Sequence, residues 1–228
     1  MAGAQPQAPS QPRTPGGAML RTLGGIAMLS GLLVVLVYHW TRPIIAENKR
    51  IAIEKAIFQV VPGAVTRKNF VLGPEGLFPG DAGKAKGDQV YAAYDRDGRL
   101  KGVALEAAAT GYQDVIRILY GYDPGCQCVT GIRVLKMAET PGLGDKIARD
   151  PDFLANFEAL DGRVNAAGDG LEHAIVTVKH GTKSQPWQID AISGATISSK
   201  AVGRMIDASG QRMFPLILRY RDGFERRD

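Results

Sequence analysis

Three hydroxyl side chains, Thr196, Ser198 and Ser199, follow directly on the segment Asp190-Ala191-Ile192-Ser193-Gly194-Ala195. The pattern is that of a loop entering a helix. Ser193 is the expected N-cap, and Gly194 and Ala195 keep the turn free of bulk. A helix N-terminus offers unpaired backbone N–H groups and positive dipole potential, which suits a phosphate. Small neighbours also leave Thr196 open to a modifying enzyme. The same residues, taken alone, fit an ordinary Ser-rich capped helix. A serine nucleophile is the other chemical reading, and it is poorly supported. There is no G-x-S-x-G elbow, no Ser-x-x-Lys, and no histidine positioned by sequence to act as base.

A second stretch, Glu139-Thr140-Pro141-Gly142-Leu143-Gly144-Asp145-Lys146, has two glycines around Leu143. Without a Cβ, such positions let backbone approach a ligand closely. Pro141 stiffens the entry, and Lys146 can face a phosphate or an electron-rich ring edge. Alone, the stretch also reads as a turn between strand and helix. Cys126 and Cys128 lie one residue apart, with no second Cys pair or paired histidine at ligand spacing, so no metal site is expected. A disulfide between them would close a very small ring, strained and reducible. The favoured expectation is two small residues opening a strand. The formal net charge of +5 is spread among interspersed acids and bases without aromatic interleaving, which argues against nucleic-acid binding.

The elements that must position these residues follow from patterning. Residues 1–20 form a Pro- and Gln-rich tail, expected to be disordered. Residues 21–41 are expected to cross a membrane: Leu23 to Trp40 has no Asp, Glu, Lys or Arg and ends on Tyr38 and Trp40. No small-residue cleavage site follows, which favours an uncleaved anchor over a signal peptide. Counting Lys and Arg on the flanks (Arg13 and Arg21 against Arg42, Lys49, Arg50 and Lys55) would put the large domain inside. Residues 42–63 read as a juxtamembrane helix stopped by Val61-Pro62-Gly63. The remaining 64–228 read as one α+β domain on an antiparallel sheet with flanking helices. Within it, 72–88 is expected to be a loop. Strands are expected at 89–94, 100–108, 112–122, 128–136 and 173–179, and helices at 150–160 and from Thr196 to about Asp207.

Glu-Thr-Pro-Gly-Leu-Gly followed downstream by Asp-x-x-Ser-Gly-Ala-Thr resembles the FMN-binding domain of Rnf and Nqr electron-transport complexes. The G-type Rnf component is nearest in length and layout. The resemblance runs from the anchor onward and includes Gly111-Tyr112. It implies an electron-transfer subunit of a ferredoxin- and NAD-linked, ion-translocating membrane complex, with no turnover of its own. It further implies FMN esterified through its phosphate to Thr196 by a flavin transferase that recognises Asp190. Ser193, Gly194 and Ala195 would form the phosphate-side loop. Glu139, Thr140, Gly142, Leu143, Gly144 and Lys146 would line the ring or ribityl side, and Trp187 would pack near the flavin or in the core. The implied location is the bacterial inner membrane, single-pass, with the large domain periplasmic and other membrane subunits as partners. Met137 stands where the family often has histidine, and Gln113-Asp114 where it often has a small pair. The alternatives are a C-type component of a sodium-pumping NADH:quinone reductase, and an anchored binding module without flavin.

Overall fold

The computed structural model describes residues 16–80 and 86–225. The expected tail 1–15 and residues 81–85 of the expected loop lie outside them. The chain divides into two compact units at Arg50 and Ile51. Helix α1 (Gly16–Val60) starts inside the segment read as tail. Its apolar side chains from Leu23 to Trp40 are exposed, and the helix is long and apolar enough to cross a bilayer.

The second unit is built on seven strands: β1 (Thr66–Gly73), β2 (Gly76–Pro79), β3 (Asp88–Tyr94), β4 (Leu100–Thr110), β5 (Val115–Asp123), β6 (Cys128–Lys136) and β7 (Leu160–Asp161). They form one antiparallel sheet in the order β2-β1-β3-β4-β5-β6-β7. Alternation sends the two sets of side chains to different faces. Tyr91, Ala93, Ala104 and Leu119 pack with Ala56, Ile57, Val60 and Val61. Val90, Ala92, Val103, Leu105, Ile118 and Tyr120 belong to the larger core, closed by helix α3 (Thr196–Arg219).

Short helices α2 (Pro151–Ala155) and α4 (Arg221–Glu225) flank the sheet, and β8 (Val176–Val178) and β9 (Gln188–Asp190) make a separate parallel pair. The approach to β8 is laced onto α3 by side chains of the helix. Gln211 Oε1 accepts from Leu171 N at 2.9 Å, and Asp207 Oδ1 accepts from Ile175 N at 2.8 Å.

Several expectations are corrected. The region 72–88 contains β2, hydrogen-bonded to β1, because Gly73-Pro74-Glu75-Gly76 makes a tight hairpin rather than an open loop. The helix expected at 150–160 stops at Ala155, since Leu160 is taken into β7 against Val129. The strand expected at 173–179 keeps only Val176–Val178. The last helix runs on to Arg219 because Met213, Phe214 and Ile217 continue its buried face. Cys126 and Cys128, expected to be free, are joined by a disulfide. The pairing is possible because Gln127, between them, adopts a left-handed backbone (φ 54°).

Candidate functional site

The segment before α3 is shaped by the buried Ala195 and Ser199 and by the backbone of Gly194. Ala195 N–H closes a turn on the Ile192 carbonyl at 3.0 Å, and Gly194 takes φ 81°, a backbone that side chains disfavour. The buried Ser199 hydroxyl accepts from Ile192 N–H at 3.1 Å and donates to the Ala195 carbonyl at 2.9 Å. Ser193 is therefore not the N-cap, contrary to expectation. The turn at Gly194 carries it outward, and Ala195 takes the cap position without a side-chain hydrogen bond. The helix starts with no side-chain cap, and Thr196 and Ile197 are exposed on its first turn.

The first turn is tied to the Glu139 stretch by one carboxylate. Glu139 is buried at 6% exposure. It accepts from Tyr112 N–H at 3.1 Å, from Gln113 N–H at 3.1 Å and from the Ser198 hydroxyl. Three distant segments thus converge on it: the β4–β5 turn, the chain after β6, and α3. The carboxylate fits because its neighbours are glycines. A Cβ on Gly111 would stand 2.5 Å from Oε1, and one on Gly144 2.6 Å from Oε2. Leu143 N–H closes a turn on the Thr140 carbonyl at 3.2 Å, with Gly142 at φ 78° in the position that needs a positive angle.

Burial pushes the Glu139 carboxyl up, but the Ser198 hydroxyl and the N–H groups of Gln113, Tyr112 and Asp114 outweigh it and hold the group below its ordinary value of 4.5. A depressed carboxyl contributes stability above its unfolded-state value and loses it as pH falls through the folded value. Wild type is therefore expected to lose its melting-temperature advantage over Glu139→Gln as pH falls from 7 to below about 4. Thermal scans of both proteins at each pH check this.

Above the carboxylate lies a groove of about 460 Å³, lined by Tyr112, Thr140, Leu143, Gly194, Thr196 and Ile197, with Glu139, Gly144, Ala195 and Ser198 also on its wall. Tyr112, Leu143 and Ile197 are 66%, 49% and 50% exposed, a largely apolar rim around the exposed Thr196. Lys146, Ser193 and Asp190 border a neighbouring hollow of about 280 Å³ with Asp150 and His180. The Asp190 carboxylate accepts from Gly181 N–H at 2.8 Å. Asp190 N–H donates to Asn156 Oδ1 at 3.0 Å, and buried Asn156 thereby docks the end of α2 against β9.

The residues singled out in the sequence thus fall into two adjoining hollows, with Glu139 beneath the first, except for Gly142, which shapes the Thr140–Leu143 turn without lining either. Trp187 lines neither; it stacks on His173 at 3.8 Å. Tyr112, Ser198, Ser199 and Asn156 have no role assigned from sequence; the partners that Tyr112, Ser198 and Asn156 find in Glu139 and Asp190 lie too far along the chain for local spacing to reveal them.

Residues 111–209, which hold both hollows, match the family model of the FMN-binding domain. The G-type subunit of the ion-translocating oxidoreductase complex of Haemophilus influenzae (strain PittEE) is 32% identical over 185 residues, covering 79% of this chain and 81% of that one. The chain belongs to this family of G-type subunits. Its Methanosarcina acetivorans relative is 38% identical over 112 residues, covering 49% of this chain and 51% of its own. The fold is shared with solved subunits of the related NADH–quinone reductase. NqrC of Shewanella oneidensis superposes with a TM-score of 0.53 at 21% identity, over 72% of this chain and 86% of that one. The C-type subunit of the Na(+)-translocating NADH-quinone reductase from Parabacteroides distasonis gives 0.50 at 21% identity, over 72% and 80%.

Proposed function

We propose that this G-type family member is an electron-transfer subunit of a ferredoxin- and NAD-linked, ion-translocating oxidoreductase complex, and that it holds FMN through a phosphoester to Thr196. One observation carries the reading: an exposed Thr196 hydroxyl at the head of a helix with no side-chain cap, inside an apolar-rimmed groove. The residues fit the group. The backbone N–H groups of Thr196 and Ile197 at the head of the helix suit a phosphate, and the rim of Tyr112, Leu143 and Ile197 suits a flat hydrophobic ring. FMN, when bound, supplies one- and two-electron carriage between neighbouring redox centres.

The chain's own part is to bind, orient and exclude water. Thr196 fixes the phosphate end, and the Ser193-Gly194-Ala195 loop surrounds it without bulk. Thr140, Leu143 and Gly144 form the facing wall, on a turn that Gly142 permits. Glu139, ionised and fully engaged, keeps that wall at a fixed distance from α3. Lys146 supplies positive charge in the adjoining hollow beside Ser193. Asp190 borders the same hollow, within reach of a flavin transferase that works on the loop.

An oxidising compartment for the domain is favoured by the Cys126–Cys128 disulfide, since disulfides persist outside the reducing cytosol. Together with the family relation it supports a single pass through the inner membrane with the large domain periplasmic, against the Lys and Arg count. Other membrane subunits are the partners. The reading is tested by acid-precipitating protein made with a flavin transferase: the yellow flavin absorption should stay with the pellet. Flavin that washes out entirely would reduce the claim to reversible binding.

A further inference from the structure

We propose that Cys126–Cys128 is a thiol–disulfide exchange site, a second two-electron redox centre whose reaction partner is a dithiol. The proposal does not depend on flavin attachment. The pair lies at the β5–β6 connection, at the far end of β6 from Glu139. The nine-residue strand, about 26 Å long at the ~3.3 Å rise of a strand, runs between the pair and the segment that leads to Glu139.

Three features argue for exchange rather than a structural staple. First, the bridge spans a sequence separation of 2, so it restricts the unfolded chain very little. The β5–β6 ladder already fixes the hairpin on its own, from Arg117↔Lys136 to Asp123↔Cys128. Second, Gln127 is the sole positive-φ residue other than glycine among the described residues, a conformation that a non-glycine side chain resists and that opening the ring would relieve. Third, Cys126 is exposed while Cys128 is half-buried, so one sulfur is open to an incoming thiolate.

Gln127 also keeps the site ready to reclose. Its Oε1 accepts from Val164 N–H at 3.0 Å, and its carbonyl accepts from Gly162 N–H at 3.0 Å. These bonds keep Gln127 beside the end of β7 when the S–S bond is open, while its φ is free to relax. The Asp123 carbonyl lies 3.7 Å from Cys126 Sγ, where it can accept from the thiol once formed. The chain has no other cysteine, so exchange must use an external thiol. A hollow of about 370 Å³ bordered by Gln127, Val164, Asn165 and Arg219 adjoins the turn and gives a partner somewhere to sit.

Exchange proceeds in two displacements. A thiolate of the dithiol attacks Cys126 Sγ, the S–S bond breaks, and its electron pair leaves on Cys128 Sγ, which takes a proton from water. The dithiol's second sulfur, as thiolate, then attacks its own partner in the mixed disulfide and expels the Cys126 thiolate, which is protonated in turn. The dithiol loses two electrons and two protons to become a disulfide, and the cysteine pair gains both.

The test uses the full chain in detergent, treated with dithiothreitol or glutathione, quenched with iodoacetamide and weighed intact. About 1 mM dithiothreitol should open the bridge in the folded protein within about ten minutes, with covalent flavin content unchanged. Oxidised glutathione, which releases one reduced glutathione for each mixed disulfide formed, should modify the lone Cys126 thiol of Cys128→Ser about tenfold faster than the lone Cys128 thiol of Cys126→Ser. Gln127→Gly should make reduction roughly fivefold less favourable at equilibrium, because glycine accepts the left-handed backbone. A bridge that yields only when the chain is unfolded would overturn the proposal, as would two free thiols that do not close with oxidised glutathione. Flavin content, read from the same spectra, reports separately on the groove.

Discussion

Thr196→Ala is expected to abolish electron transfer through the assembled complex while leaving the fold intact. Thr196 is exposed, and its side chain makes no hydrogen bond that the domain core relies on, so thermal unfolding should move by no more than about 1 °C. The loss comes from the attachment point: an alanine has no oxygen to carry the phosphate. Thr196→Ser keeps that oxygen and should restore most of the activity, whereas Thr196→Val, nearly the same shape, should not. NADH- or ferredoxin-linked turnover of membranes carrying each variant, beside a melting curve, separates attachment from folding. Full turnover in Thr196→Ala would mean that the relay does not depend on this residue.

A second large effect is expected at Gly144, on stability as well as on flavin loading. An alanine Cβ there would meet Glu139 Oε2 at 2.6 Å, Ser198 Oγ at 2.7 Å and Glu139 Cβ at 2.9 Å. None of these can retreat cheaply, because the carboxylate is held by Tyr112 and Gln113 as well as by Ser198. Shifting it leaves N–H donors unpaired beneath the groove. The combined cost is about 2–4 kcal/mol, or a fall of roughly 4–16 °C in a domain of this size. Gly142→Ala is the matched control. Gly142 has a positive φ but open space around it, so only the backbone penalty of about 1 kcal/mol applies. Equal melting temperatures for the two variants would mean that the Glu139 tie is not what holds the groove.

Both effects concern residues whose importance is visible in sequence, but for reasons that are only partly visible there. Thr196 is singled out through the resemblance, since its small neighbours fit an ordinary capped helix as well; the first turn of α3 leaves it exposed. The resemblance implies a place for Glu139 on the wall of a ligand site. Its location beneath the groove, tied to residues 26, 27 and 59 positions away, is a tertiary fact that no local period encodes. Lys146 sits near Leu143 in sequence, yet the 3₁₀ turn Gly144–Ala148 carries it to the neighbouring hollow.

The fold shows the same division. The β3–β4 hairpin is legible because Asp95 Oδ1 accepts from both Asp97 and Arg99 N–H, and Gly98 supplies φ 74°, all within five residues. The strands β1 and β2 are not. Thr66-Arg67-Lys68-Asn69 is polar, and Gly73-Pro74-Glu75-Gly76 reads as a breaker, so only pairing with β3 reveals a strand. Gly210 and Pro215 likewise signal a helix end, but both are buried within α3, where packing against the sheet overrides propensity. Ser193 fails as a cap because a left-handed glycine stands between it and the helix.

The central claim is tested most directly by the intact mass of the denatured wild-type chain produced beside a flavin transferase, followed by mapping of the modified peptide. The predicted result is a gain equal to FMN minus water, located on the peptide that contains Thr196 and absent from Thr196→Ala. An unmodified chain beside a demonstrably active transferase, or the same gain on another residue, would contradict it.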